Sequence, residues 1–200
     1  MNYLAHCFLS GPDEHLLVGN FIADHVKGKD LIGFPAAMAA GIVLHRKIDR
    51  YTDTHPVVKQ SKKRLRPFFH KYSPVVADMY YDHFLAKSWN EYSEIPLAGY
   101  AQQVYSLLQA NAQWLPERTK HMIRHMIAQD WLTIYASLDG MDSVLRGMAT
   151  RTRFFSNMEE ATGFLQVHYS FFEKEFKLFF PDLIAYVNEQ PESNAAIGKP

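Results

Sequence analysis

Apolar positions along this chain recur at the three-and-four spacing of amphipathic helices, and the runs that carry the period are separated by proline, glycine and short polar clusters. The pattern predicts helices from the start to Leu9, Glu14 to Val26, Pro35 to Asp53, Pro56 to Phe69, Pro74 to Trp89, Pro96 to Asn111, Pro116 to Leu138 and Ser156 to Phe180. Proline opens several of them, its favoured place in the first helical turn. Ser73 reads as a cap before Pro74, Asp139-Gly140 as a turn after Leu138, and RTRFFSN as a turn carrying Arg151 and Arg153. Past Pro181 a short helix to about Glu189 is expected, and the closing QPESNAAIGKP reads as a flexible tail. Period-two alternation is largely absent, so the expected architecture is all-α: one helical domain over 1–190 and a tail over 191–200.

Polar residues that fall on the apolar stripes carry the chemical information. At about 100° per residue, Met38, Gly41, Ile42, His45, Asp49 and Thr52 share one face, while Arg46, Lys47 and Arg50 point to the flank or to solvent. Val75, Asp78, Met79, Asp82, Leu85, Ala86 and Trp89 share another, with His83 on its edge. Asp24 lies on a stripe with Leu17, Asn20 and Phe21, and His6 stacks over Asn2 beside Leu9. One such residue alone is more often a core hydrogen-bonder, and His6 taken singly says no more than that. The same anomaly on two helices, His45 with Asp49 and Asp82 with His83, points to a shared site, because a buried carboxylate needs a cation, a donor or a proton. A divalent metal would satisfy several at once. His121 and His125 also stand four apart, but with no carboxylate on their face they read as solvated or structural.

Composition narrows the chemistry. Two hundred residues, 48% of them hydrophobic, suffice for a real core. The 21 basic and 21 acidic residues cancel, so nothing calls for a nucleic-acid partner. The basic run Lys59, Lys62, Lys63, Arg64 and Arg66 is by default a solvated face, unless an acidic partner exists. A lone cysteine, Cys7, forms no internal disulfide and no thiolate zinc site, so a metal would be held by imidazole and carboxylate. The N-terminal segment lacks the marks of a secretory signal and no apolar run is long enough to span a bilayer; the expectation is a cytoplasmic protein without a membrane partner.

Four ordered segments, NYLAH from Asn2, GNFIADHVKG from Gly19, GIVLHRKIDRYTD from Gly41 and YYDHFLAKSW from Tyr80, with WLTIYASLDGMDSVLRGMATR from Trp131, resemble the acyl carrier protein phosphodiesterases over almost the whole chain. The resemblance implies a helical fold distantly like the HD phosphohydrolases and manganese dependence, with magnesium or iron(II) as alternatives. It implies hydrolysis of the phosphodiester joining 4′-phosphopantetheine to a serine of holo acyl carrier protein, within fatty acid metabolism. Carried over, it suggests Asp82 and His83 as the metal-binding doublet, here in reversed order, with Asp24, His45 and Asp49 as companions.

In this reading Asp24, His45, Asp49, Asp82 and His83 bind the metal or stand close behind it. Asp24 and His83 also serve the chemistry, His83 as a ligand or as the acid that protonates the leaving serine oxygen, and His6 orients a ligand. Arg46, Arg50 or Arg151 binds nonbridging oxygens. The basic run becomes a docking surface for an acidic carrier protein. The competing readings are a phosphohydrolase of a nucleotide or other small phosphoester, and a non-catalytic helical module binding an acidic partner.

Overall fold

A computed structural model describes residues 1–28, 31–193 and 197. Helices α1 (Tyr3–Phe8), α2 (Glu14–Ile22), α3 (Ala36–Thr54), α4 (Pro56–Phe69), α5 (Ser73–Lys87), α6 (Leu97–Ala110), α7 (Glu117–Ala128), α8 (Trp131–Ile134), α9 (Leu138–Ala149), α10 (Ala161–Val167) and α11 (Tyr169–Asn188) are joined by short 3-10 turns. No strand occurs among the described residues, as the patterning requires. Among those residues, no helix is long and apolar enough to cross a membrane.

Local chemistry sets the helix starts. The Asp13 carboxylate accepts from the Leu16 amide at 2.9 Å, capping α2. Pro35, Pro96 and Pro116 stand immediately before α3, α6 and α7. Ser73 is the first residue of α5 rather than its cap, and its hydroxyl donates to the His70 carbonyl.

Helix α5 runs through the core and buries residues all round its surface, Met79 through Ala86 without interruption. Helices α1, α4 and α11 pack against it. Helices α2 and α3 form the closest pair in the molecule. A Cβ added to Gly19 would lie 2.0 Å from the Met38 carbonyl oxygen, and one added to Gly41 would lie 2.1 Å from that of Leu16. The two backbones therefore touch, and only glycine permits it.

The structure corrects three boundaries. The segment expected as one helix from Pro116 to Leu138 breaks at Asp130, whose left-handed backbone (φ 47°) ends α7. The Tyr105 hydroxyl pins the break: it donates to Asp130 Oδ1 and accepts from the Leu132 amide, both at 2.9 Å. Asp139-Gly140 is no turn; both lie in the first turn of α9, where the Ser137 hydroxyl accepts from the Gly140 amide. The helix expected from Ser156 to Phe180 splits at His168, and its second half continues through Pro181 to Asn188. Proline inside a helix costs roughly 3 kcal/mol. Leu183 and Val187 beyond it are fully buried, each contributing about 1.5–3 kcal/mol, so burial prevails.

Within the segment expected as a tail, Glu192 pairs with Lys47 at 2.7 Å. Ile197 is buried, its amide donating to Asn188 Oδ1 at 2.8 Å. The other residues of 194–200 lie outside the described residues.

Candidate metal centre

Backbone contact between α2 and α3, with α1 beside them, brings five polar positions together. Helix α1 supplies His6, α2 supplies Asn20, the 3-10 turn Ala23–His25 supplies Asp24, and α3 supplies His45 and Asp49 one turn apart. Asn20 is fully buried. Its Nδ2 donates to the His6 carbonyl at 3.0 Å and to the Ser10 hydroxyl at 2.9 Å, which fixes the direction of the amide. Its Oδ1 therefore faces both imidazoles, accepting from His6 Nδ1 at 2.9 Å and from His45 Nδ1 at 3.1 Å. One side-chain carbonyl thus sets the tautomer of two histidines.

With both Nδ1 atoms protonated, both Nε2 atoms turn the same way. His45 Nε2 lies 3.1 Å from Asp49 Oδ2 and 3.3 Å from Asp24 Oδ1, and His6 Nε2 lies 3.2 Å from Asp49 Oδ1. The rings are stacked, 3.9 Å between centroids. His6 Nε2 is close to the carboxylate but not aligned for a hydrogen bond, leaving a buried nitrogen without a hydrogen-bond partner. His6, His45 and Asp49 each bring a donor atom within 4.8 Å of the others. Converging imidazole nitrogens oriented from behind by an amide, with carboxylate oxygens opposite, form the donor set of a borderline or hard divalent cation, and the residues fit one. The imidazoles are buried, whereas the Asp49 and Asp24 side chains are 43% and 61% exposed, so the centre opens to solvent on its acidic side.

Electrostatics follow from this arrangement. Burial opposes charge on His45, but its bonds to Asp24 and Asp49 outweigh that and raise its pKa to about 9. Burial and the neighbouring His45 charge lower His6 to about 4. Burial works against ionisation of Asp49, yet the two histidines hold it below the usual carboxylate range. The His45 bond lowers Asp24. Without metal, one proton on His45 serves as the cation between two carboxylates.

Other expected residues lie elsewhere. Asp82 is fully buried and turned toward the start of α1, its two oxygens accepting from the Asn2 and Leu4 amides at 3.0 and 2.8 Å. Burial raises its pKa to about 7. His83 donates from Nδ1 to the Tyr135 carbonyl at 2.7 Å and meets the Tyr169 hydroxyl through Nε2 at 2.9 Å. Burial lowers its pKa. The doublet thus ties α5 to α1, α8 and α11, outside the His6–His45–Asp49 cluster. Arg46 donates to the Val26 carbonyl at 3.2 Å, and Arg50 is exposed. In the basic run, Lys62 pairs with Asp53 at 2.5 Å and Arg64 with Glu175 at 3.4 Å. Lys59, Lys63 and Arg66 are exposed on α4.

A cleft of about 810 Å³ opens beside the cluster, with Asp24 in its lining. Arg118 from α7 and Arg151 after α9 line it, as do His25, His121 and His125. His25 is held by the Thr119 hydroxyl at 2.7 Å. Neither Asn20 as the orienting group nor Arg118 was singled out in the sequence. Asn20 was visible as a polar residue one turn before Asp24 on an apolar stripe, while Arg118 gave no signal.

The acyl carrier protein phosphodiesterase family model matches residues 1–183. The chain is 32% identical to an acyl carrier protein phosphodiesterase of Enterobacter sp. (strain 638), over 92% of this chain and 96% of that one. It is 31% identical to one of Escherichia coli (strain SMS-3-5 / SECEC), over 95% and 99%. No solved structure matches. The match from the first helix into the last, spanning every residue of the cluster, shows that the chain belongs to the acyl carrier protein phosphodiesterase family.

Proposed function

We propose that the chain hydrolyses the phosphodiester joining 4′-phosphopantetheine to a serine of holo acyl carrier protein, releasing the apo carrier, at a divalent metal held by His6, His45 and Asp49 with Asp24 beside them. Family membership supports the reaction. The observation that carries the metal site is the pair of Nε2 atoms aimed by Asn20 at one carboxylate. Manganese fits the mixed imidazole and carboxylate donors, as do magnesium and iron(II). When bound, such an ion lowers the pKa of water and polarises the phosphoryl oxygen.

The protein's own groups do the rest. The buried imidazoles, locked by Asn20, keep both Nε2 atoms turned outward, and the His45 proton leaves when a cation takes its place. Asp24, more exposed than Asp49 and on a turn, is placed to take the proton from the attacking water. Hydroxide adds to phosphorus, the bond from phosphorus to the serine oxygen breaks, and that oxygen takes up a proton. The products are the serine hydroxyl and the phosphomonoester. His83, committed to Tyr135 and Tyr169, serves the fold in this account.

The carrier is acidic, and the exposed cations Lys59, Lys63 and Arg66 favour its encounter. The test is to incubate purified protein with holo carrier and, separately, with a nucleotide panel, and to weigh the products. Release of 4′-phosphopantetheine, abolished by chelation and restored by manganese, is expected. Turnover of nucleotides alone would favour the small-phosphoester reading, and no turnover of any substrate the binding-module reading.

A further inference from the structure

We propose that the cleft between α7 and α9 seats the pantetheine arm of the substrate, with Arg118 holding the phosphate at its inner end. This rests on the reaction proposed above. Asp24 belongs to both places, bonded to His45 in the cluster and lining the cleft. A phosphodiester at the cluster therefore has the cleft beside it. Arg118 stands at that same end: its neighbour Thr119 holds His25, the neighbour of Asp24, at 2.7 Å, and Asp24, His25 and Arg118 line the cleft together. Among the described residues Arg118 is exposed and makes no salt bridge, so its guanidinium is available to phosphate oxygens.

The other walls differ in character. Met122, Trp131, Tyr135, Val144 and Met148 supply apolar and aromatic surface, with Gln129 and Ser143 as polar points. A cation beside the cluster, with mixed apolar and amide-bonding surface in the same cleft, suits a phosphate followed by a gem-dimethyl group, two amides and short methylene runs. The volume lies within the roughly 300–1,000 Å³ of ligand pockets.

One wall residue offers a clean probe. Gly147 lines the cleft from within α9, and a Cβ built there meets nothing within 4 Å. Gly147→Phe should fill the cleft without a clash in the core, while Gly147→Ala barely intrudes. Calorimetric titration with 4′-phosphopantetheine and with unphosphorylated pantetheine, beside steady-state kinetics on holo carrier, reads the outcome. Gly147→Phe should weaken both ligands and raise KM, each by about tenfold or more, with Gly147→Ala close to wild type. Arg118→Ala should weaken 4′-phosphopantetheine by about tenfold and leave pantetheine unchanged, as loss of one charged hydrogen-bond donor implies. Melting temperature and manganese stoichiometry verify each variant's fold, and Gly147→Leu replaces Gly147→Phe should the larger ring disturb it. Wild-type protein that releases 4′-phosphopantetheine while the cleft variants match it in affinity and KM overturns the cleft assignment alone. Wild-type protein that releases none overturns the functional reading, and this inference with it.

Discussion

His6 and His45, from helices separated by α2 in the chain, stack ring on ring at 3.9 Å while donating to the same Asn20 oxygen. Burial and the charge on His45 lower His6 to about 4, while the bonds from Asp24 and Asp49 overcome burial and raise His45 to about 9. One proton is thus held by the pair, and in the proposed function a divalent metal would exchange for it.

Replacing Asn20 with leucine removes that shared acceptor and frees both rings to turn or change tautomer. Manganese affinity, measured by calorimetry, should fall about 10–100-fold, the range for lost orienting groups. Asn20→Asp, which still accepts from both rings, should retain more affinity than the leucine variant. Equal loss in the two would show that amide direction is irrelevant.

The metal-free protein should show a pH signature from His45. Its folded pKa is raised to about 9, so its stabilisation is fully present below the unfolded value of 6.5 and is lost as pH rises through about 9. Urea unfolding of wild type and His45→Gln across pH 6–10 should show the gap narrowing over that interval. Manganese affinity should strengthen over the same range, as less proton has to be displaced. A pH-independent gap would refute the charged-histidine account.

Asp82 titrates with the opposite consequence for a carboxylate. Its folded pKa is raised from 3.8 to about 7, so the native state holds the extra proton between these values and stability falls as pH rises across them. Asp82→Asn should therefore gain on wild type from pH 4 to 7, by a few kcal/mol at roughly 1.4 per pKa unit. Its manganese stoichiometry should be unchanged. Loss of metal binding in a folded Asp82→Asn variant would instead place Asp82 among the ligands, as the doublet comparison had suggested.

Reversing charge at Lys59, Lys63 and Arg66 together should raise KM for the carrier at low salt and flatten the salt dependence, with kcat kept. Lys62 and Arg64 are engaged with Asp53 and Glu175, so their reversal should register as altered stability as well. Unchanged kinetics in the triple variant would return the run to a solvated face.

Helical content and most helix starts were legible because proline and the 3.6 period speak locally. His45 with Asp49 was legible because α3 has a solvent face against which a polar pair on the apolar side stands out. The same test does not separate Asp82, which binds the Asn2 and Leu4 amides, and the reason is physical. Helix α5 has no exposed face over its second half, so position on its wheel does not separate a site from an internal tie. The break at Asp130 escaped notice because its fixing partner, Tyr105, is 25 residues away in sequence. The helix through Pro181 defied a local rule because burial beyond it outweighs one lost hydrogen bond.

Gly19 and Gly41 have a bearing on any attempt to transplant this centre. Where they meet, peptide groups of α2 and α3 touch directly, so the span from Asn20 to His45 is set by the thickness of bare backbone rather than by interlocking side chains. The surrounding core is then free to drift in sequence without altering that span, whereas one methyl group at either glycine acts as a wedge under the whole assembly. On another helix pair at ordinary spacing, about 8–10 Å between axes, the Asn20 position would draw away from His45 and leave that imidazole without its orienting acceptor. The two residues with no side chain thus fix how Asn20 meets His45 as firmly as either polar residue does.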